Sequence, residues 1–263
     1  MSDTYEVFAL RYGRLRTHRR EVYHDGDHTE DGHTPTELAY YFWLAVNQHR
    51  KVLIDTGFDP VVAARRGRET LVPPLDLLRQ FGIEPEEVTD VILTHFHYDH
   101  IGNVAAFPDA RFYTTCAEYD YWTSPGLDED RAAAVEATEV AEVAQLRSAG
   151  RLTLLAGGGQ FPIMGGIQGI SLPGHTPGQI AVRIPTESGD ITLTSDAAHT
   201  SEEIDSDRPF HIFTDLEAMR LSLAEIRAMI SAGDSIVVPG HEPSVADRFP
   251  RWRGMAEVVQ LSA

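Results

Sequence analysis

The sequence predicts one alternating α/β domain over residues 1–263. Three observations carry that reading. Short β-prone runs alternate with helical stretches that end at glycine. No domain boundary is visible along the chain. Candidate metal-binding side chains run from His95 to His241, which ties the two halves together.

The elements follow in order. Tyr5 to Tyr12 and Ala39 to Val46 read as strands, with Lys51 to Ile54 pairing nearby. Between the first two lies a polar stretch, His24 to His33, with three His and three Asp. Its glycine spacing reads as a mobile loop, able to act as a lid, with a third metal site as the alternative. The five arginines from Arg11 to Arg20 read as a solvated or salt-bridged segment. Leu75 to Phe81 is a short amphipathic helix stopped by Gly82, and Asp90-Val91-Ile92-Leu93 is a short buried strand. Arg131 to Ala149 reads as a longer, Ala-rich helix ended by Gly150. Gly157-Gly158-Gly159 follows a strand at Leu152 to Leu155 and is a turn; no Lys-Ser or Lys-Thr follows, so it is no phosphate loop. Thr214-Asp215-Leu216-Glu217 fits a capping box, with the helix running to Ala232 before Gly233.

The chemistry concentrates in Thr94-His95-Phe96-His97-Tyr98-Asp99-His100-Ile101-Gly102. Four strong metal-binding side chains sit there within six residues, just past an apolar strand. Strand alternation would send His95, His97 and Asp99 to one side and His100 elsewhere, which suits a second metal beside the first. Without a cation, such a cluster would leave several polar groups unsatisfied. Three further candidates each follow a β-prone run: His175 in Pro173-Gly174-His175-Thr176-Pro177, Asp196 after Ile191 to Ser195, and His241 in Val238-Pro239-Gly240-His241. Ligand counting then assigns His95, His97 and His175 to one metal and Asp99, His100 and His241 to the other, with Asp196 bridging them. Imidazole and carboxylate ligands without thiolate favour two divalent ions, zinc first, with manganese, iron or cobalt also compatible. The expected chemistry is hydrolysis by a bridging hydroxide.

The pattern His-x-His-x-Asp-His, followed by a distant His, Asp and His, resembles the metallo-β-lactamase superfamily. Within it, the order and spacing resemble the N-acyl homoserine lactonases and related lactone hydrolases. The resemblance runs from Val52-Leu53-Ile54-Asp55-Thr56-Gly57 to Pro239-Gly240-His241-Glu242-Pro243. It implies a four-layer αβ/βα sandwich of two mixed sheets flanked by helices, with the dimetal site at one edge. It implies that Asp55 supports the ligand shell by hydrogen bonding rather than binding metal, and that Asp99 shuttles a proton. One position departs from the pattern. The lactonases carry a tyrosine three residues after the bridging aspartate, where this chain has His199. An imidazole can donate to a developing oxyanion and can also move a proton, so His199 is read as the catalytic replacement. The other reading of His199 is a solvent-exposed loop residue.

Composition sets the frame. The chain is 42% hydrophobic, enough for a substantial core, and its lone cysteine, Cys116, forms no internal disulfide. A formal charge of −18 disfavours nucleic acid and acidic membrane surfaces as partners. No secretory signal and no membrane-spanning run is visible, so the expected location is cytoplasmic, and a homodimer is the base-rate assembly. The substrate expected is a small-molecule lactone or carboxylic ester. Rival readings on the same site are a phosphotriesterase or arylesterase, a thioesterase, and a ligand-sensing protein that keeps the metals but turns over little.

Overall fold

The computed structural model describes residues 4–25, 31–126 and 129–262. Its strands are β1 (Glu6–His18), β2 (Pro35–Val46), β3 (Lys51–Ile54), β4 (Glu69–Thr70), β5 (Asp90–Ile92), β6 (Arg111–Thr115), β7 (Leu152–Leu155), β8 (Gln160–Met164), β9 (Ile167–Ser171), β10 (Ile180–Thr186), β11 (Gly189–Ser195), β12 (Ser235–Pro239) and β13 (Val258–Gln260). The first sheet runs β13-β1-β2-β3-β5-β6-β7, with β4 also on β1; the second runs β12-β11-β10-β9-β8. Both are mixed. β3, β5, β6 and β7 pair in parallel while β13, β1, β2 and β3 pair antiparallel. In the second sheet only β11 and β12 are parallel.

Alternation along the strands explains the layers. On β1, Val7 and Ala9 join β2 residues Tyr41 and Trp43 and second-sheet residues Val182, Ile184 and Leu193 in the core between the sheets. Phe8, Leu10 and Tyr12 point the opposite way, onto Leu77 and Leu78 of α2 (Pro74–Phe81), beyond α1 (Pro60–Arg65). The outer face of the second sheet, Ile170 and Ala181, packs on Ile204 of α7 (Ser201–Ser206) and on Leu223 and Ile226 of α8 (Leu216–Ala232). Helices, sheet, sheet and helices therefore stack as four layers, the sandwich expected from the sequence. Each large side chain buried in these cores contributes roughly 1.5–3 kcal/mol relative to exposure. The remaining helices are α3 (Tyr98–Ile101), α4 (Cys116–Thr123), α5 (Glu129–Ala132), α6 (Ala137–Ser148) and α9 (Val245–Arg248). Among the described residues no helix is long and apolar enough to cross a membrane.

Local differences from expectation have local causes. β1 extends beyond Tyr12 to His18, because its alternate arginines find acids across the sheet: Arg14 meets Glu69 at 2.6 Å and Arg16 meets Glu37 at 3.2 Å. Arg11 pairs with Glu257 and Arg20 with Glu21, so the arginine segment is salt-bridged as expected. The helix expected over Arg131 to Ala149 is two helices, α5 and α6. In the gap, Arg66 takes the carbonyls of Ala133 and Val135, and the Tyr98 N–H takes that of Ala134, so tertiary donors replace the helical ladder there. The α8 N-cap is Asp215, accepting from the Ala218 N–H at 3.0 Å, rather than a Thr214 capping box. Thr214 instead donates to the Gly174 carbonyl. In the stretch His24 to His33, residues 26–30 lie outside the described residues, so the lid and third-metal readings fall there; Asp25 and Asp31 engage Arg208.

Candidate metal centre

Four strand ends on one edge of the sandwich deliver the candidate ligands. The segment after β5 brings His95, His97, Asp99 and His100; β9, β11 and β12 are followed by His175, Asp196 and His241. All seven are buried. Strand alternation is not the device that sorts the first four. β5 ends at Ile92, and Tyr98–Ile101 is a helical turn, so Asp99 and His100 leave its surface together instead of on opposite sides. The resulting groups are His95, His97, His175 and Asp196, and then Asp99, His100 and His241, the donor atoms of each lying within 4.8 Å of one another. These are the two sets expected from the sequence, reached by a different local geometry.

Hydrogen bonds at the outer nitrogens fix how the imidazoles face. His175 Nδ1 meets the Ile212 carbonyl at 2.9 Å, and His241 Nδ1 meets the Ala39 carbonyl at 2.9 Å. A carbonyl only accepts, so Nδ1 carries the proton in both rings. Their bare Nε2 atoms then look inward, His175 to Asp196 Oδ2 at 3.3 Å and His241 to Asp196 Oδ1 at 3.0 Å. His100 Nδ1 sits 2.7 Å from Asp55 Oδ2, and its Nε2, 3.2 Å from Asp196 Oδ1, makes no hydrogen bond. His95 Nε2 is likewise buried without a hydrogen-bond partner. Lone pairs facing carboxylate oxygens at such distances need a positive charge between them, so these residues fit a pair of divalent cations. The Asp196 carboxylate lies between the two sets: Oδ1 faces His100 and His241, Oδ2 faces His95 and His175, and His241 Nε2 also reaches Oδ2 at 3.2 Å. Burial pushes the pKa of His97 down to about 4 and those of His95 and His175 well below the usual range, so these rings stay neutral. Burial opposes the charge of His100 too, but without a cation Asp196, Asp55 and Asp99 outweigh it and hold its pKa high, a positive charge that a bound metal would supply in place of the Nε2 proton.

The scaffold beneath is rigid. Asp55, at the end of β3 with φ 62°, accepts from the Thr94 N–H and hydroxyl, both at 2.8 Å, besides meeting His100. This is the supporting position that the resemblance implies for it. Thr94 reaches Ser195 at 2.8 Å, linking the first sheet to the second. Gly240 precedes His241 because a side chain would collide: a Cβ there would lie 2.6 Å from the Ser195 carbonyl oxygen. Gly174, before His175, has φ +132° and presses on Met219 of α8.

His199 is not a surface loop residue. It is 1% exposed, stacked on Phe210 with ring centroids 3.7 Å apart, and lines the cavity in front of the ligands. Nε2 lies 3.1 Å from Asp196 Oδ2 and Nδ1 lies 3.3 Å from Glu203 Oε2, at angles that make no hydrogen bond. Burial opposes its protonation, but Glu203 and Asp196 raise its pKa to about 10. Asp196, His199 and His241 also form a third close donor group. The cavity holds about 380 Å³ and is lined on its apolar side by Leu15, Leu38, Phe210 and Ile212. Of the aromatic residues near the ligands, Tyr98, Phe210 and His211 line it, Phe96 is core, and Trp122 packs edge-on against His97.

Sequence reasoning missed Glu118. This buried carboxylate on α4 accepts from the Phe96 N–H at 2.9 Å, Trp122 Nε1 at 2.7 Å, the Thr176 hydroxyl at 2.7 Å and the Gly178 N–H at 3.0 Å. It thereby clamps the loop carrying His95 and His97 to the loop carrying His175. The available signal was Thr115 three residues earlier, which caps α4 and sets Glu118 in its first turn.

Comparison with known proteins agrees with this geometry. The sequence model of the Metallo-beta-lactamase superfamily matches residues 35–241. An N-acyl homoserine lactonase of a Bacillus species is 28% identical over 221 residues, 78% of this chain and 82% of that protein. Metallo-beta-lactamase domain-containing protein 1 of Xenopus laevis is 30% identical over 193 residues, 73% of this chain and 66% of that protein. A solved quorum-quenching N-acyl homoserine lactone lactonase superposes with a TM-score of 0.76 at 22% identity, covering 93% of this chain and 94% of that one. A dizinc quorum-quenching lactonase holding its product superposes with a TM-score of 0.73 at 19% identity, covering 90% and 87%. With the family pattern matched across all four strand ends that carry the buried His/Asp cluster, this chain belongs to the metallo-beta-lactamase superfamily.

Proposed function

We propose that this chain is a metal-dependent hydrolase that opens a lactone or cleaves a carboxylic ester. The observation that carries the reading is Asp196, whose carboxylate lies between the two imidazole sets and faces both. His95, His97 and His175 would hold one divalent cation, Asp99, His100 and His241 the other, and Asp196 both. Zinc is the metal proposed, on the borderline character of the donors and on the dizinc lactonase of similar fold. Bound there, the cations supply Lewis-acid polarisation of a carbonyl and a water of lowered pKa.

The chain's own residues do the rest. Leu38, Phe210 and Ile212 hold the apolar part of the ester and exclude water from the reacting carbonyl. His199, wedged between Phe210 and Glu203, replaces the lactonase tyrosine and donates from Nε2 to the carbonyl oxygen as charge develops on it. The Asp99 carboxylate lines the cavity, with Oδ2 3.8 Å from His100 Nε2 and 3.9 Å from His241 Nε2. From there it takes the proton of the attacking water and returns it to the departing alkoxide oxygen. Asp55 holds His100 in the tautomer that leaves Nε2 bare.

The test joins metal analysis to a hydrolysis screen of γ-lactones, aryl esters, thioesters and phosphotriesters, each with an EDTA control. The reading expects two equivalents of metal and EDTA-sensitive turnover of lactones or aryl esters. Preferential turnover of phosphotriesters or thioesters would replace the substrate class. Metal-loaded protein that binds a lactone and leaves it intact would make the chain a sensor. Full activity in metal-free protein would end the reading.

A further inference from the structure

Two arginines stand two residues apart on the cavity wall and differ in what they hold. Arg66 is fully engaged: it pairs with Glu136 at 2.7 Å and donates to the Ala133 and Val135 carbonyls. Arg68 is not. Nε donates to the Tyr98 hydroxyl at 2.9 Å and Nη1 to the Arg66 carbonyl at 2.7 Å, and the Tyr40 hydroxyl is its other polar neighbour, so its partners are neutral oxygens. Among the described residues no carboxylate lies within 4.0 Å of this guanidinium, although the chain carries 40 acids against 22 bases. Most other part-buried arginines have such a partner; Arg151, which lacks one, spends its donors on the Phe107 and Ala110 carbonyls. Arg68 lines the same cavity as His97, Asp99 and His199, with Tyr98 and Tyr40 beside it. The acids sharing that wall are otherwise occupied. Glu21 is held by Arg20 at 3.1 Å, and Asp99 belongs to the ligand cluster. A half-buried guanidinium with only neutral partners matches a planar carboxylate better than it matches a hydrocarbon tail.

We propose that Arg68 is a specificity-determining residue for an anionic substrate: an ester or lactone that carries a carboxylate on the part remote from the reacting carbonyl. The inference rests on the hydrolase reading and narrows its substrate class. The apolar wall of Leu38, Phe210 and Ile212 would take the spacer, with Arg68 reading its charged end.

The test compares the mono(4-nitrophenyl) ester of glutarate with its uncharged carboxamide counterpart, which has the same shape. The metal-loaded wild type should prefer the charged ester through a lower KM. In Arg68→Met the ratio of the two kcat/KM values should fall on the order of tenfold to a hundredfold, the value of one charge-assisted bond, and Arg68→Lys should restore part of it. Arg68→Gln serves as the second variant should the Met protein fail to fold. Separately, calorimetry should detect glutarate binding to the metal-free wild type and much weaker binding to the variant. A wild type that prefers the carboxamide, an unchanged ratio in the variant, or equal glutarate binding by both proteins would overturn the proposal. If neither ester is cleaved, the hydrolase reading fails by itself, and the calorimetric comparison alone still decides for or against Arg68.

Discussion

The floor of the site and its mouth are built on opposite rules. Beneath the ligands the two supporting acids are saturated. Asp55 takes two donors from Thr94 and faces His100, and Glu118 takes four donors from two ligand-bearing loops. At the mouth, groups are left with open valence: both nitrogens of His199 lack a hydrogen bond, and the half-buried Arg68 has only neutral oxygens as partners among the described residues. Saturated groups have one arrangement and resist change. Open ones wait for something from outside. The contrast teaches that the floor belongs to the chemistry common to the superfamily, and the mouth to what this chain accepts.

Breaking the floor at its centre should have the largest effect. Asp196→Ala removes a group facing both imidazole sets, so metal content should drop from two equivalents to one or none and activity should fall below detection. Metal analysis beside the hydrolysis assay checks it; two retained equivalents would refute the bridging role. At the mouth, His199→Phe should keep both metals and lower kcat by about 10²–10³, the usual loss for one oxyanion donor. A lost metal equivalent would instead make His199 a ligand with Asp196 and His241, the third donor group. Asp55→Asn acts through His100 and Thr94, and should weaken metal affinity by roughly 10–100-fold, read by competition with a chelating dye.

The smallest effect concerns stability. Burial raises Glu118 to about 7 against the pull of its four donors. Its folded pKa therefore lies above its unfolded one. The stability it contributes is complete below the ordinary carboxylate range and is lost as pH rises through about 7. Glu118→Gln cannot ionise, so its melting temperature should lie below the wild type's at pH 5 by more than it does at pH 8. A deficit that stays constant across that range would show that Glu118 does not titrate there.

Much of the floor was legible from the chain alone, because its residues come in a dense and chemically narrow pattern. His95, His97, Asp99 and His100 sit beside an apolar strand, and His175 and His241 each follow a glycine. The α/β sandwich was legible for a related reason: the two faces of β1 and β2 alternate cleanly into two cores. What resisted reading depends on packing between remote segments. Arg66 breaks an Ala-rich helix some 70 residues away that propensity alone would continue. Asp99 and His100 share a group because a helical turn begins at Tyr98, where the strand pattern suggested continued extension. Glu118, Glu203 and Arg68 each look like an ordinary surface charge until the fold buries the two acids and sets the arginine in the cavity wall.

The ligands after β5 hang from one sheet, and those after β9, β11 and β12 from the other. Ions seated among them would rivet the two leaves of the protein as well as serve the reaction. Anything that binds the native form and not the unfolded one raises stability by mass action. Stripping the ions should therefore loosen the seam between the leaves and cost the protein its heat tolerance along with its turnover.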